Sequence, residues 1–241
     1  MSKEKSEEFY EQKYKNESEP WEYSKKAVEV LRHDFTLRTA LSLKSSYTKI
    51  LDVGCIKGQL TFLFGGVSPE IYGIDVSETA LAYAKKSFDE AKKKSGGSCQ
   101  YFFEKENITS LSFPEKSFDL VLLCDGIFEW FINNENRLQA LKETHRVLMK
   151  GGFVILCDYG NQKYFDEYLA LVNASGLEVV STYRFNDRLC YQFNSWLKAV
   201  EKNIIAQKLI ESRLIARFLM KVSSLFGAKG SKHIFVVATK I

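Results

Sequence analysis

One short segment constrains the fold of this chain more than any other, because an acidic residue ends an apolar run just before a glycine-bearing turn. Residues 49–60 read KILDVGCIKGQL, with Asp52 ending the run, glycines at positions 54 and 58, and a helical stretch from Gln59. A strand followed by such a turn and a helix binds nucleotide-like ligands at the carboxyl end of the strand. The segment therefore predicts an α/β fold with a ligand site at that edge of a parallel sheet.

A second apolar run ends in another acidic residue. The run IYGID ends in Asp75, roughly 20 residues beyond the turn, where a carboxylate is placed to accept hydrogen bonds from a ribose. Ser77 is the better cap for the following helix, so we expect Asp75 to be free for a ligand. Asp52 could instead cap the helix after its own turn, although caps sit directly at a helix start and Asp52 lies several residues ahead. We therefore favour ligand roles for both carboxylates.

The spacing of the glycines indicates which nucleotide is bound. A dinucleotide fold expects GxGxxG, whose second glycine lets the backbone approach a pyrophosphate. Here that middle position holds Ile56, so the pattern fails. The Asp52 carboxylate ahead of the turn suits an ammonium group and repels a phosphate. A nicotinamide oxidoreductase is therefore disfavoured.

At these residues the chain resembles the class I S-adenosylmethionine-dependent methyltransferases, whose first motif has the form LDxGCGxG. LDVGCIKG matches it except at Ile56, and YGIDVSETALAYAKK, NITSLSFPEKSFDLVLLCDGIFEW and RVLMKGGFVIL resemble the later motifs in order, over residues 45–185. The resemblance implies S-adenosylmethionine as the cofactor, with the Asp75 carboxylate on the ribose hydroxyls, Val76 against the adenine and Asn107 near the adenine amino group. The cofactor-binding residues that it implies are Asp52, Gly54, Cys55, Gly58, Asp75, Val76, Asn107, Ile108, Cys124 and Trp21. Trp21 could equally anchor the leading helix.

Ile56 is the main departure from the family motif. A Cβ-branched residue is poorly suited to left-handed backbone angles, so we expect the loop to run differently there or the ligand to sit slightly further out. One interpretation is lost cofactor affinity. The other is a subfamily similar to the nodulation protein S type, which also lacks this glycine. GCIKGQLT fits that type, as do Tyr14, residues 19–21, Arg32 and residues 36–37.

Strand and helix patterns alternate from residue 49 onward. This alternation predicts a Rossmann-like, mostly parallel α/β sheet with helices on both faces, and the resemblance implies seven strands with an antiparallel last strand. We expect a helical lead segment over 1–44, with two helices, and a methyltransferase domain over 45–241. The predicted strands are 49–53, 71–75, 100–105, 118–124, 153–158, 177–184 and 233–240, and the predicted helices are one from 59, 77–94, 133–148 and about 162–175.

Composition limits the setting of the protein. With 241 residues, 45% of them hydrophobic, the chain is expected to form one sizeable core. No apolar stretch approaches the roughly 18 residues of a spanning helix, and the charged start MSKEKSEEFYEQ is unlike a signal peptide. Five cysteines without ligand spacing argue against disulfides and against a metal site. We therefore predict a cytoplasmic protein.

The segment before the last strand is a basic insertion. Residues 186–232 contain nine Lys or Arg and three acidic residues, a net charge of +6. Apolar residues recur at close to helical spacing and predict a helical insertion with one apolar stripe: Ile205, Leu209, Leu214, Phe218, Val222 and Leu225. Three interpretations stay open: a helix packed on the sheet edge with its lysines in solvent, a cap on the substrate pocket or for an acidic partner, and a basic amphipathic helix on a membrane surface.

The catalytic residues are the least defined part of the sequence. Methyl transfer needs an acceptor held in line with the methyl group, and a base where the acceptor must lose a proton. The candidates follow the fourth and fifth strands: Asp125, Glu129, Asp158 and Tyr159. We expect a methyltransferase acting on a small molecule, such as an amine or hydroxyl of a metabolite or amino sugar. The alternatives are a methyltransferase of RNA or protein and a non-enzymatic S-adenosylmethionine-binding protein, and no DNA partner is expected.

Overall fold

The computed structural model describes residues 3–20, 22–95, 98–125, 133–160, 165–200 and 203–241. The strands are β1 (Lys49–Val53), β2 (Glu70–Asp75), β3 (Gln100–Lys105), β4 (Phe118–Cys124), β5 (Leu148–Tyr159), β6 (Glu178–Phe185) and β7 (His233–Thr239). The helices are α1 (Lys3–Asn16), α2 (Ala27–Leu43), α3 (Gln59–Leu63), α4 (Glu78–Ser95), α5 (Asn134–Val147), α6 (Phe165–Ala174), α7 (Arg188–Leu197), α8 (Ile204–Ile210) and α9 (Arg213–Ser224).

The strands form one seven-stranded sheet in the order β3-β2-β1-β4-β5-β7-β6. The β3–β2, β2–β1, β1–β4 and β4–β5 pairs are parallel, whereas β7 runs antiparallel to both β5 and β6. The chain reverses its direction of winding between β1 and β4, and ligands of open α/β sheets bind at such a switch point. The predicted Rossmann-like sheet with an antiparallel last strand is confirmed.

Alternate residues of each central strand pack on opposite faces of the sheet. In β1, Leu51 and Val53 join the core on one face, whereas Ile50 joins the core on the other. Because helices bury both faces, β4 reads as an almost continuous apolar run, FDLVLLC. Its one acidic residue, Asp119, accepts hydrogen bonds from the backbone at the start of β1. This contact fixes the starts of β1 and β4, and the parallel pairing that ends at Val53 and Leu123 places their carboxyl ends side by side at the site.

The fifth strand begins earlier than predicted. β5 starts at Leu148 rather than at residue 153, and its pairing with β4 shifts register between Phe118 and Leu120. Gly151 takes a left-handed backbone (φ +74°), and its amide donates to the carbonyl of Lys240. The MKGG segment therefore joins the sheet as an irregular strand instead of forming a separate turn.

The insertion is helical, as predicted, but its orientation differs from the expectation of a packed stripe. It consists of α7, α8 and α9 with short 3₁₀ turns at 198–200 and 227–230. Most of the predicted stripe is exposed to solvent: Ile205, Leu214, Phe218 and Leu225. The packed side of α9 instead carries Ala216 and Ser223. The simple picture of apolar residues inside and lysines outside is therefore wrong. Within the described residues, no helix is both long and apolar enough to cross a bilayer.

Candidate functional site

In the turn after β1, every second residue from 54 to 58 has a left-handed backbone conformation. Gly54, Ile56 and Gly58 have φ values of +73°, +52° and +79°. The loop therefore does not run differently at Ile56, and that part of the expectation is wrong. A Cβ-branched residue in this conformation is strained by roughly 1–2 kcal/mol. One hydrogen bond opposes the strain: the Ile56 amide donates to Asp75 Oδ2 at 3.2 Å.

Asp75 lies at the end of β2 and is engaged with the backbone. Its Oδ1 accepts from the Ser77 amide at 2.9 Å, while its Oδ2 accepts from Ile56. Ser77 is the helix cap, as predicted, because its Oγ accepts from the Ala80 amide. The Asp75 carboxylate also fixes the turn through these two backbone hydrogen bonds. Burial raises the pKa of Asp75 to about 6, although these hydrogen bonds oppose the rise. A role for Asp75 on a ribose stays a prediction.

Asp52 lies at the end of β1, and its side chain is almost fully buried. The Thr61 hydroxyl donates to its Oδ2 at 2.5 Å. Burial raises the pKa of Asp52 to about 7, with a further contribution from the nearby Asp75 charge, while hydrogen bonding by Thr61 opposes the rise. Among the ion pairs of the described residues, none involves Asp52. A buried carboxylate in this state would be stabilised as an anion by a cationic ligand.

Asp52 borders a cavity that opens between the ends of β1 and β4. The enclosed space measures about 30 Å³, which is room for about one water molecule, and it is partly open to solvent. Its wall contains four of the predicted cofactor residues, Asp52, Gly54, Cys55 and Cys124. It also contains one predicted catalytic residue, Asp125. The structure therefore brings residues of the turn after β1 together with residues at the end of β4.

The two glycines of the turn differ in the room around them. A Cβ at Gly54 would meet no atom within 4 Å, so this glycine borders open space. At Gly58, which has a φ of +79°, a Cβ would lie 2.8 Å from the Phe62 ring, so a side chain there would be strained and would displace that ring at the start of α3. Open space over Gly54, beside a buried carboxylate without an ion pair, fits a cationic nucleoside such as S-adenosylmethionine.

The other predicted cofactor residues that the structure describes do not line this cavity. Asn107 donates to Glu7 Oε1 at 2.8 Å, and its own oxygen accepts from Thr109. Ile108 packs in the core cluster that includes Leu51 and Val53, and Val76 is half-buried. Trp21 and Glu129 lie outside the described residues. The roles predicted for these five side chains stay predictions.

Helix α1 covers the edge of the site at β2, which the sequence did not indicate. Glu11 accepts from the hydroxyls of Ser77 and Thr79, each at 2.7 Å. Although slight burial opposes the change, these hydrogen bonds lower the pKa of Glu11 to about 2. Tyr14 of the same helix is buried, and the nearby Asp75 charge adds to burial in raising its pKa. The polar pattern of residues 3–16 carries no signal for this docking, because the contacts are made by charged and aromatic side chains.

The other side of the cavity holds a buried charged network around Asp125. This residue takes a left-handed backbone (φ +58°) and forms an ion pair with Arg32, which also pairs with Glu29. His233 Nε2 lies 3.3 Å from Asp125 Oδ1. Burial favours the neutral acid, but the charges of Arg32 and His233 prevail and lower the pKa of Asp125 to about 2. Asp125 is thus held as an anion inside the protein.

The network continues into the insertion. His233 Nδ1 contacts Asp187 at the start of α7, and Tyr191 of that helix hydrogen-bonds Glu29. Although burial and the Arg32 charge oppose the rise, Asp125 and Asp187 together raise the pKa of His233 well above its ordinary value. The insertion is therefore fastened to the rim of the site by buried polar contacts.

The cavity wall also holds Tyr23 and His33, which the sequence did not single out as site residues. Their rings lie 6.0 Å apart. Burial, aided by the Arg32 charge, lowers the pKa of His33 to about 4, so its imidazole is neutral at neutral pH. The sequence signal that could have indicated His33 is the scarcity of histidine: the chain has three. Two of these, His33 and His233, lie near Asp125.

Asp158 and Tyr159 lie at the end of β5, but their side chains hydrogen-bond to residues outside the cavity wall. Asp158 is buried and accepts from the Tyr168 hydroxyl at 2.8 Å. The Tyr159 hydroxyl accepts from the Lys232 ammonium at 2.6 Å. Neither residue belongs to the cavity wall described above. Of the predicted catalytic residues that the structure describes, Asp125 is therefore the one at the cavity.

Comparison with known proteins agrees with this geometry. Residues 51–156 match the family profile described as "Methyltransferase domain". Demethylmenaquinone methyltransferase of Lactococcus lactis is 36% identical over 109 residues, which cover 44% of this chain and 40% of that protein. The chain spans about half the length of the curated relatives it matches.

Solved structures share the fold. The N-methyltransferase NodS of Bradyrhizobium japonicum, in complex with S-adenosyl-L-homocysteine, has a TM-score of 0.60 at 19% identity, covering 72% of this chain and 89% of that one. The [4+2]-cyclase SpnF has a TM-score of 0.60 at 21% identity, with coverages of 86% and 80%. At these identities the likeness shows the fold alone. The profile match over residues 51–156 and the order of the strands agree with the class I S-adenosylmethionine-dependent methyltransferase fold.

Proposed function

We propose that the protein transfers a methyl group from S-adenosylmethionine to a small-molecule acceptor, at an amine or hydroxyl group. The observation that carries the proposal is the cavity between β1 and β4. There the buried Asp52 carboxylate, which has no ion pair among the described residues, adjoins the open space over Gly54. That combination favours a ligand that carries both a positive charge and a nucleoside.

Each site residue has a distinct task in this proposal. Asp52 would hold the ammonium of the cofactor, and Asp75 would accept from a ribose hydroxyl with the lone pairs that the backbone leaves available. Gly54 leaves space for close approach of the ligand. S-adenosylmethionine, when bound, supplies an electrophilic methyl group on a sulfonium. The residues of this chain then contribute binding, orientation and exclusion of water.

The acceptor would bind beside Tyr23, His33 and Asp125. A neutral His33 imidazole can accept a hydrogen bond from an amine or hydroxyl and orient its lone pair. With a pKa near 4, His33 is a weak base, so positioning would supply most of the acceleration. This favours acceptors that are already nucleophilic at neutral pH.

The relatives support the small-molecule class without defining the acceptor. Those with similar sequences include proteins named for demethylmenaquinone and for phosphoethanolamine. The chain spans only part of each, so the acceptor remains part of the proposal. All five cysteines are free, which supports the reducing, cytoplasmic setting that the proposal includes.

A non-methylating role is the second candidate, and the likeness to the [4+2]-cyclase SpnF favours its inclusion. Consumption of the cofactor separates the two functions. A methyltransferase converts S-adenosylmethionine to S-adenosylhomocysteine in the presence of its acceptor, whereas a protein that only binds the cofactor does not.

The test combines binding with turnover. Calorimetry of the purified protein should show micromolar binding of S-adenosylmethionine and S-adenosylhomocysteine and none of NAD. Labelled methyl transfer is then measured against panels of amines, alcohols and phenols. Gly54→Ala should weaken cofactor binding, because its methyl group enters the ligand space. Gly151→Ala is the matched control, because Gly151 also has a left-handed backbone and open surroundings. Tighter binding of NAD, or equal binding by the Gly54 variant, would contradict the proposal.

A further inference from the structure

Helix α9 of the insertion exposes an apolar stripe on its outer side. Leu214, Phe218 and Leu225 have exposed fractions of 77%, 65% and 81%. Leu214 and Phe218 are four residues apart, and Leu225 follows seven residues later, so the three side chains share one face. A contiguous exposed apolar face is uncommon in a monomeric soluble protein and marks an interaction site.

The stripe is distinct from the face that packs on the protein. Ala216 and Ser223 are buried, and Leu219 and Met220 pack against the core on the α2 side of the sheet. Helix α9 is thus apolar on two faces, although only one of them meets the fold. Helix α4 shows the ordinary arrangement, since its exposed positions include Lys85, Lys86 and Asp89.

A basic column runs beside the exposed stripe. Arg213, Arg217 and Lys221 are spaced four residues apart and are all exposed. Arg213 lies 3.9 Å from Asp34, and none of the ion pairs among the described residues involves Arg217 or Lys221. The whole insertion carries a net charge of +6. The outer face of α9 therefore presents apolar and positive groups together.

The neighbouring helices of the insertion add to the exposed apolar surface. Trp196 of α7 has an exposed fraction of 75%, and Ile204 and Ile205 of α8 are exposed by 67% and 65%. Helices α7, α8 and α9 contact one another. The insertion as a whole therefore leaves large apolar side chains in contact with water.

We propose that the outer face of α9 docks the protein on an anionic lipid surface. An interfacial helix carries bulky apolar residues that enter the boundary of the acyl chains, and flanking Lys or Arg residues that meet anionic headgroups. Leu214, Phe218 and Leu225 supply the first group, and the basic column supplies the second. The positive charge argues for a negatively charged surface as the occupant rather than for a second copy of this basic helix.

Sedimentation with vesicles tests the proposal independently of methyl transfer. The full chain should bind vesicles of equal parts phosphatidylglycerol and phosphatidylcholine, and bind phosphatidylcholine vesicles roughly tenfold more weakly. The double variants Leu214→Ser/Phe218→Ser and Arg217→Glu/Lys221→Glu should each weaken binding to the anionic vesicles roughly tenfold or more. Leu63→Ser on α3 and Lys85→Glu/Lys86→Glu on α4 are the matched controls and should leave it unchanged.

Three results would overturn the proposal. These are no binding to the anionic vesicles, equal binding by the α9 variants with unchanged circular dichroism, and a dimer that forms without vesicle binding and disappears with Leu214→Ser/Phe218→Ser. The last result would assign the face to a second copy of the chain. Cofactor affinity should stay constant in every variant, so failure here is distinguishable from failure of the proposed methyl transfer.

Discussion

Two carboxylates face the same cavity from opposite sides, and their surroundings differ. Asp52, from β1, is hydrogen-bonded by a hydroxyl group, and burial raises its pKa to about 7. Asp125, after β4, is paired with Arg32 and His233, which lower its pKa to about 2 despite burial. On the side of Asp52, a cationic ligand would favour the charged form of the carboxyl group, whereas the side of Asp125 already carries its own cations.

This difference indicates that the side of Asp125 contributes to the stability of the fold, whereas the side of Asp52 contributes to ligand binding. A buried charge that lacks a partner costs free energy until a ligand supplies one. Removing a charge should therefore act in opposite ways on the two sides. It should damage folding on the side of Asp125 and damage ligand binding on the side of Asp52.

The largest expected effect is on folding, at Arg32. Arg32→Met leaves Glu29 and Asp125 buried without their shared cation, and the loss of one partner of a buried ion pair costs about 3–5 kcal/mol. Urea unfolding followed by circular dichroism measures the change. The exposed Arg38 of the same helix gives the matched control, since Arg38→Met should alter the free energy of unfolding by less than about 0.5 kcal/mol. Similar free energies of unfolding for the two variants would show that Glu29 and Asp125 do not depend on the Arg32 charge for stability.

A smaller effect is expected at the turn on the side of Asp52. Gly58→Ala places a Cβ 2.8 Å from the Phe62 ring in a left-handed residue, which should lower the free energy of unfolding by about 1–3 kcal/mol. Gly66→Ala, in open space and without a left-handed backbone, should be neutral or slightly stabilising. Thermal and urea unfolding of both variants provides the comparison. A stable Gly58→Ala variant would mean that the turn tolerates an ordinary residue.

Asp52→Asn should change binding rather than folding. Its pKa in the folded protein, about 7, lies above the ordinary value of 3.8. The folded protein therefore holds this proton more tightly than the unfolded chain, and the resulting stabilisation is lost as the pH rises from about 4 to about 7. The amide removes that loss, and the free energy of unfolding at neutral pH should not fall. Cofactor affinity should fall at least roughly tenfold, because a charge-assisted contact is lost. If Asp52→Asn instead destabilised the protein and left cofactor affinity unchanged, Asp52 would serve folding rather than binding, and the contrast with Asp125 would be wrong.

The sequence predicted the sheet well because its signals are local. The strands at Gln100–Lys105 and Phe118–Cys124 have the predicted bounds, since each is an apolar run between polar or turn-forming segments. The turn at Gly54 and Gly58 was equally readable from glycine spacing. In contrast, the left-handed backbone of Ile56 contradicts its local preference and depends on a hydrogen bond to Asp75 in another strand.

The charged network and the outer face of α9 depend on long-range contacts. Glu29 and Tyr191, which share a hydrogen bond, are 162 positions apart, and Arg32 of α2 meets Asp125 at the end of β4. Nothing in the spacing of these residues indicates their pairing. Helix α9 misled the prediction because it has two apolar faces, and periodicity alone does not indicate which of them meets the sheet.

The proton balance of cofactor binding tests the contrast most directly. Titrating S-adenosylmethionine into the protein near pH 6.5, in buffers of different ionisation enthalpy, measures the protons released on binding. A cation next to Asp52 should lower the pKa of that carboxyl from about 7, so wild-type protein should release protons and bind more tightly as the pH rises from roughly 5.5 to 7. Asp52→Asn should release fewer. Equal proton release by both proteins, or affinity that falls over this range, would contradict the assignment of Asp52 as the uncompensated charge that awaits the cofactor.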